Sequence, residues 1–128
     1  MIIHEIMTKR VKSIDSDELV IDACRKFKEN KLGSLIVKEQ DIIVGIITER
    51  DVIDKIILDK KSPNFTKVKD IMTPNLKTIN SLQTVEEAVK IMTKNNIKKL
   101  PVTYNNIIVG IITEKDITRA IEMMDKNE

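Results

Sequence analysis

The chain has 128 residues, a mass of 14.7 kDa and a formal net charge of +2, with 41% apolar and 33% charged residues. That is room for one compact domain or two very small ones, and too apolar for a disordered chain. One histidine (His4) and one cysteine (Cys24) exclude a Cys/His zinc site and an internal disulfide, and leave a Ser-His-Asp or Cys-His centre no candidate but His4 near the terminus.

The chain is a duplication. Ile6-Met7-Thr8 recurs as Ile71-Met72-Thr73, and Ile42 to Glu49 recurs unchanged as Ile107 to Glu114, both at an offset of 65. Laying 6–57 on 71–122 without a gap matches 21 of 52 positions. The expected division is a first repeat over 1–58, a polar linker over 59–70 and a second repeat over 71–128.

In chain order, each repeat opens with a short extended piece, Val11 to Ile14 or Leu76 to Ile79. A helix follows, with Val20, Ala23, Cys24 and Phe27 on one stripe and Val85, Ala88, Val89 and Met92 on its duplicate. Thr84 and Glu87 predict a capping box that Leu19 denies the first copy. Two strands come next, Ser34 to Lys38 with Ile42 to Ile47, and Leu100 to Tyr104 with Ile107 to Ile112. The Ile-rich partner in each pair reads as apolar on both sides, as buried strands are. A last helix starts near Thr48 or Thr113, with Ile53, Ile56 and Ile57, or Ile117, Ala120, Ile121 and Met124, along its apolar face. The order β-α-β-β-α, twice, is an α+β fold of the broader α/β class. Twenty-three isoleucines against three aromatics suit such a sheet-rich core.

The informative fragment is Gly-Ile-Ile-Thr-Glu-(Arg/Lys)-Asp, at Gly45 to Asp51 and Gly110 to Asp116. Two readings stand side by side. Thr48 and Thr113 can be N-caps with Asp51 and Asp116 as their third-position partners. Alternatively, the helix start offers free amides to an anion, while the carboxylate accepts from two vicinal ribose hydroxyls and the threonine bonds a phosphate oxygen. The two roles are compatible.

Two tandem units, each opening near Met-Thr and closing on Gly-Ile-Ile-Thr-x-x-Asp, resemble a pair of cystathionine β-synthase (CBS) domains, the Bateman module. Gly33-Ser34-Leu35-Ile36-Val37 and Ile97-Lys98-Lys99-Leu100-Pro101-Val102 extend the likeness to about residues 3 to 125. The resemblance implies a pseudo-twofold module with two clefts between the repeats, often holding AMP, ADP or ATP and sometimes S-adenosylmethionine or NAD-type ligands; no cofactor is required. By the same resemblance Asp51 and Asp116 hold ribose, and Thr48 and Thr113 contact ribose or phosphate. Thr8, Val11, Ser13, Leu32 and Gly33 would complete the Asp116 cleft, and Thr73, Leu76, Thr78 and Ile97 the Asp51 cleft. Lys98 and Lys99, which replace Gly33 and Ser34 in the second repeat, would attract phosphate and make the Asp116 cleft the better site.

The resulting expectation is a ligand-sensing regulatory module, not an enzyme, that signals to a protein partner and forms a homodimer through its last helices. The alternatives are a structural or oligomerisation module with vestigial clefts and a nucleic-acid-binding accessory protein; the balanced charge and missing aromatic platform count against the latter. The lone cysteine, the lack of a signal-like start and the lack of an apolar run near ~18 residues predict a cytoplasmic protein away from membranes.

Overall fold

The computed structural model describes residues 1–9, 11–74 and 76–126. It is a mixed α+β fold of two sheets, as the duplication predicts. In chain order the elements are β1 (Ser13–Asp15), α1 (Val20–Asn30), β2 (Ser34–Glu39), β3 (Ile42–Thr48), α2 (Glu49–Val52), β4 (Thr73–Pro74), β5 (Ile79–Asn80), α3 (Val85–Asn95), β6 (Lys99–Tyr104), β7 (Ile107–Thr113) and α4 (Glu114–Lys126). Short 3-10 turns stand at Ile3–Glu5 and Val68–Asp70. The helix that starts α2 continues as a π-helical turn over Ile53–Ile57, whereas its duplicate α4 is a regular helix.

The chain forms two compact units, and they cut it differently from the repeat. The internal unit is Lys12–Leu76; the terminal unit joins Met1–Val11 to Lys77–Glu128. The internal sheet runs β1-β2-β3-β4 and the terminal sheet β5-β6-β7. In both, a parallel pair is followed by an antiparallel hairpin. The hairpin turns, Gln40-Asp41 and Asn105-Asn106, hold both residues at positive φ, between 50° and 66°. A two-residue hairpin needs that sign of twist, and asparagine tolerates it best. Helices α1 and α3 end on a left-handed residue, Lys31 and Asn96. At its start α3 has the expected cap, Thr84 Oγ1 accepting the Glu87 amide at 3.2 Å, while Glu87 itself turns to Gln83. In α1 the Asp22 carboxylate accepts the Leu19 amide (3.3 Å) and does half of that work.

Each unit takes in the segment that precedes the other unit's first strand in the chain. In the terminal unit, Ile3 N–H donates to Gln83 O (2.9 Å), His4 N–H to Ser81 O (3.0 Å) and Val85 N–H to Met1 O (3.1 Å). In the internal unit, Val68 N–H donates to Glu18 O (2.8 Å), Lys69 N–H to Ser16 O (3.0 Å) and Val20 N–H to Thr66 O (2.9 Å). The same bonds recur at the same offset. They also place the arm around His4 against residues 81–85. Within that linker Lys60 and Lys61 are exposed, but Val68 is fully buried.

The two cores follow from this exchange. Ile14, Val20, Ala23, Phe27, Leu35, Val37, Ile47 and Ile56 pack with Val68 and Ile71. Ile79, Ala88, Met92, Leu100, Val102 and Ile112 pack with Ile3 and Met7. The third strands are not buried along their whole length. Ile42 and Ile107, which follow the hairpin turns, are each 62% exposed. Asp17 anchors the borrowed segment of the internal unit from outside: Lys69 stands 3.0 Å and Lys67 3.4 Å from its Oδ1. Lys69 and then Lys67 hold its carboxyl below the usual range.

The Met-Thr segment reaches the sheet by a close backbone approach. Thr8 exchanges two 2.9 Å backbone bonds with Ile111, and Thr73 pairs with Ile46 in β4. A Cβ on Gly110 would lie 2.6 Å from Met7 Sδ and 2.8 Å from Thr8 O; one on Gly45 would lie 2.8 Å from Met72 Sδ and 2.7 Å from Thr73 O. Gly45→Ala and Gly110→Ala are each expected to destabilise the fold by about 1–3 kcal/mol, the cost of overpacking a filled site. Gly33→Ala, whose Cβ would meet the flexible Glu49 carboxylate at 3.1 Å, should be far milder. Denaturant unfolding of the three variants checks the order, and a Gly33 variant as damaged as the other two would contradict it.

Candidate functional site

The two Thr-x-x-Asp motifs both build helix starts. Thr48 is extended (φ −122°, ψ 162°) and its Oγ1 accepts the Asp51 amide at 3.1 Å, while Asp51 Oδ2 accepts the Thr48 amide at 3.0 Å. At the duplicate, Thr113 Oγ1 accepts the Asp116 amide at 3.2 Å and Asp116 Oδ2 accepts the Thr113 amide at 2.9 Å. These are reciprocal capping boxes, with aspartate in the place usually held by Glu or Gln. The cap consumes part of each carboxylate. Two carboxylate oxygens offer about four lone-pair positions, so capacity remains for a ligand.

What occupies that capacity differs between the copies. Thr8 Oγ1 donates to Asp116 at 3.2 Å from Oδ1 and 3.4 Å from Oδ2, and the Asp116 residue is 6% exposed. Thr73, the duplicate of Thr8, is exposed in β4. Asp51 instead carries Lys55, whose Nζ stands 3.3 Å from Oδ1 and donates to Ile71 O at 2.9 Å. The position matching Lys55 is Ala120.

A cavity of about 370 Å³ opens on Asp116, walled by Glu5, Ile6, Arg119, Ala120, Met123 and Met124. Arg119 stands one helical turn from Asp116 on α4. A guanidinium offers five donors in a fork suited to phosphate. Sequence reasoning overlooked Arg119 and Lys55; both are departures from the duplicate (Asp54 and Ala120), which is the signal that marks them.

The other predicted residues are placed as follows. Thr8, Val11, Thr78, Ile97, Lys98, Lys99, Thr113 and Asp116 belong to the terminal unit. Ser13, Leu32, Gly33, Thr48, Asp51, Thr73 and Leu76 belong to the internal unit. Thr8 is brought into direct contact with Asp116. Ser13 sits in β1 opposite Ile36, and Leu32 packs on the internal core. Val11 and Leu76 are half-buried, and Thr78 is exposed. Ile97 packs on the terminal core. Lys98 lines a second cavity of about 480 Å³ between α3 and α4, with Met92, Glu114 and Ile117, and its carbonyl accepts the Glu114 amide at 3.1 Å. Lys99 begins β6 opposite Thr113.

The matching groove of the internal unit, about 320 Å³ between α1 and α2, is lined by Cys24, Phe27, Val52 and Ile53. Half-burial, then the Glu49 carboxylate, pushes the Cys24 thiol above its ordinary range. Among the described residues no group of three or more His, Cys, Asp or Glu could hold a metal, and no helix is long and apolar enough to cross a membrane.

A family model described as CBS domain matches residues 3–58 and again 68–123. The mitochondrial CBS domain-containing protein CBSX3 of Arabidopsis thaliana is 35% identical over 131 residues, covering 93% of this chain and 64% of its own length. The chain thus spans less than two thirds of that relative. Among solved structures, an uncharacterised conserved protein of Pyrococcus horikoshii aligns with a TM-score of 0.82 at 31% identity, over 94% of this chain and 91% of that one. A hexameric CBS-CP12 protein of bloom-forming cyanobacteria aligns with a TM-score of 0.81 at 31% identity, over 100% of this chain and 75% of that one.

A thiolate is the reactive form, and the Cys24 environment disfavours it. Cys24 is expected to react with a maleimide or disulfide reagent several-fold more slowly than free glutathione at neutral pH, and to accelerate as pH rises. A rate equal to that of glutathione, read by absorbance or mass, would contradict this.

Proposed function

Since the chain belongs to the CBS-domain family as a tandem pair, we propose that it is a regulatory module that binds an adenine nucleotide, AMP, ADP or ATP, or a related adenosyl ligand such as S-adenosylmethionine, and signals occupancy to a protein partner. The observation that carries this reading is the Asp116 carboxylate: 6% exposed, at the wall of a cavity, with the neutral Thr8 hydroxyl on Oδ1. A ribose diol can take the place of the Thr8 hydroxyl, with two donors where the threonine has one. Arg119 would hold phosphate in the same cavity, and Ile6 and Met123 offer apolar surface to the base. The reading assigns binding to these residues and no bond-breaking step.

Self-association accompanies it. Ile53 (49%), Ile57 (62%) and Leu58 (68%) are exposed along the last helical stretch of the internal unit, and Ile121 (54%), Met123 (62%) and Met124 (54%) along α4. Apolar surface concentrated in this way marks an interface, and a twofold dimer is the simplest closed assembly. The hexameric relative supports self-association in proteins of this kind. A scaffold whose Thr-x-x-Asp motifs serve only as caps is the second reading, favoured by the reciprocal capping boxes.

Calorimetric titration with AMP and ATP separates the two. Asp116→Ala is expected to lose more than tenfold in affinity and Asp51→Ala far less; the Asp116 change also removes a cap worth about 1 kcal/mol, so the unliganded variants are compared by melting first. At a ligand concentration 100 times the dissociation constant the wild-type fold should gain about 2.7 kcal/mol. No shift with any adenosyl ligand favours the scaffold. Sedimentation of the wild type is expected to give a dimer at micromolar concentration, and Ile57→Asp a lighter species; a monomeric wild type would sink the interface.

A further inference from the structure

The two Thr-x-x-Asp motifs differ in Arg50 against Lys115 and make the same pair of capping bonds, yet their carboxylates face different groups. In the terminal unit Asp116 Oδ2 accepts the Thr113 amide at 2.9 Å, and among the described residues the further group approaching its oxygens is one neutral, rotatable hydroxyl, that of Thr8. In the internal unit Asp51 Oδ2 accepts from the Thr48 amide and hydroxyl at 3.0 and 3.1 Å, and Oδ1 faces the Lys55 ammonium at 3.3 Å. Lys55 is fixed at its other side by a 2.9 Å bond to Ile71 O. The Asp51 side chain is 13% exposed and that of Lys55 43%, so solvent screens the pair in part, from the lysine side. The duplicate position, Ala120, carries no charge and is 7% exposed.

We infer that Lys55 is a specificity-determining residue that closes Asp51 to a sugar diol, so that the chain has one nucleotide-binding carboxylate, Asp116, instead of two. This rests on the adenine-nucleotide reading above and adds which copy is used and why. A ribose diol donates two hydrogen bonds and needs both oxygens of a carboxylate. At Asp116 it displaces a hydroxyl that loses little by turning to another acceptor. At Asp51 it must displace a cation from its counter-charge and leave an ammonium facing the Ile71 carbonyl alone, and the hydrogen bonds of a neutral diol are weaker than the charge-assisted pair they replace. Lys55 acts through Asp51 and is a positioning residue; its effect is on the number of sites.

The test counts AMP bound per chain by calorimetric titration for the wild type, Lys55→Met and Lys55→Gln. Methionine keeps most of the stem and glutamine keeps a donor, so one of the two retains the fold, as far-UV circular dichroism and melting verify. The wild type is expected to bind one AMP, lost in Asp116→Ala. Each Lys55 variant is expected to bind two, and the added site is expected to vanish when Asp51→Asn is combined with it. A wild type with two sites, or folded Lys55 variants that stay at one, overturns the role of Lys55 and leaves the adenine-nucleotide reading standing. No AMP bound by any of the proteins overturns that reading and this inference together.

Discussion

The contact on which the rest of the molecule depends is the backbone of a Met-Thr segment lying directly on a glycine of the third strand. At Gly110 and Gly45 there is no space for a Cβ between the strand and the Thr8 or Thr73 carbonyl. That proximity sets the register of Thr8 on Ile111 and of Thr73 on Ile46. Everything else about the segment follows from it. Met7 and Ile3 reach the terminal core, Ile71 and Val68 reach the internal one, and the Thr8 hydroxyl arrives at Asp116. The glycine of the Gly-Ile-Ile-Thr motif and the Met-Thr motif are thus two halves of one packing solution, written far apart in the chain.

Duplication has preserved the backbone and let the electrostatics drift. The helix starts, the hairpin turns and the left-handed caps coincide at the 65-residue offset. Main-chain geometry is over-determined by hydrogen bonds, so single side chains change without disturbing it. Lys55 and Ala120 show what that freedom permits: one exchange alters the charge beside a carboxylate whose own geometry is unchanged. The π-helical turn over Ile53–Ile57 lies in the same stretch and has no counterpart in α4. A widened turn of this kind changes which residues share a face, and it leaves Ile56 buried while Ile53 and Ile57 point outward.

Much of the fold was legible because the repeat doubles every signal. The stripe Val20, Ala23, Phe27 and its duplicate are in the cores, and Thr84 caps its helix as its spacing predicts. The exchange of segments was not legible. Identity between the copies begins at Ile6 and Ile71, but the shared hydrogen-bond pattern begins at Met1 and Thr66. Those bonds are made by the main chain, which leaves no trace in residue type. In the candidate site, Thr48, Asp51, Thr113 and Asp116 form the helix caps that their spacing predicts. The partners of the carboxylates were hidden for a different reason. Lys55 matters through the Ile71 carbonyl, and Lys98 lines a cavity other than the one at Asp116, and neither follows from spacing along the chain.

The division into units has a temporal side. The internal unit is one continuous stretch, Lys12–Leu76, whereas the terminal unit is assembled from Met1–Val11 and Lys77–Glu128. During synthesis the internal unit is complete once Leu76 has been made, and it can close its core while residues 77–128 are still to come. Met1–Val11 precede the internal unit in the chain and find their strand after it. Until β7 is made, Ile3 and Met7 have no core to enter, so the nascent chain carries this apolar segment as a loose thread. The terminal unit bears the entropic cost of closing the long loop that the internal unit fills, and prior folding of that insert shortens the loop to be closed.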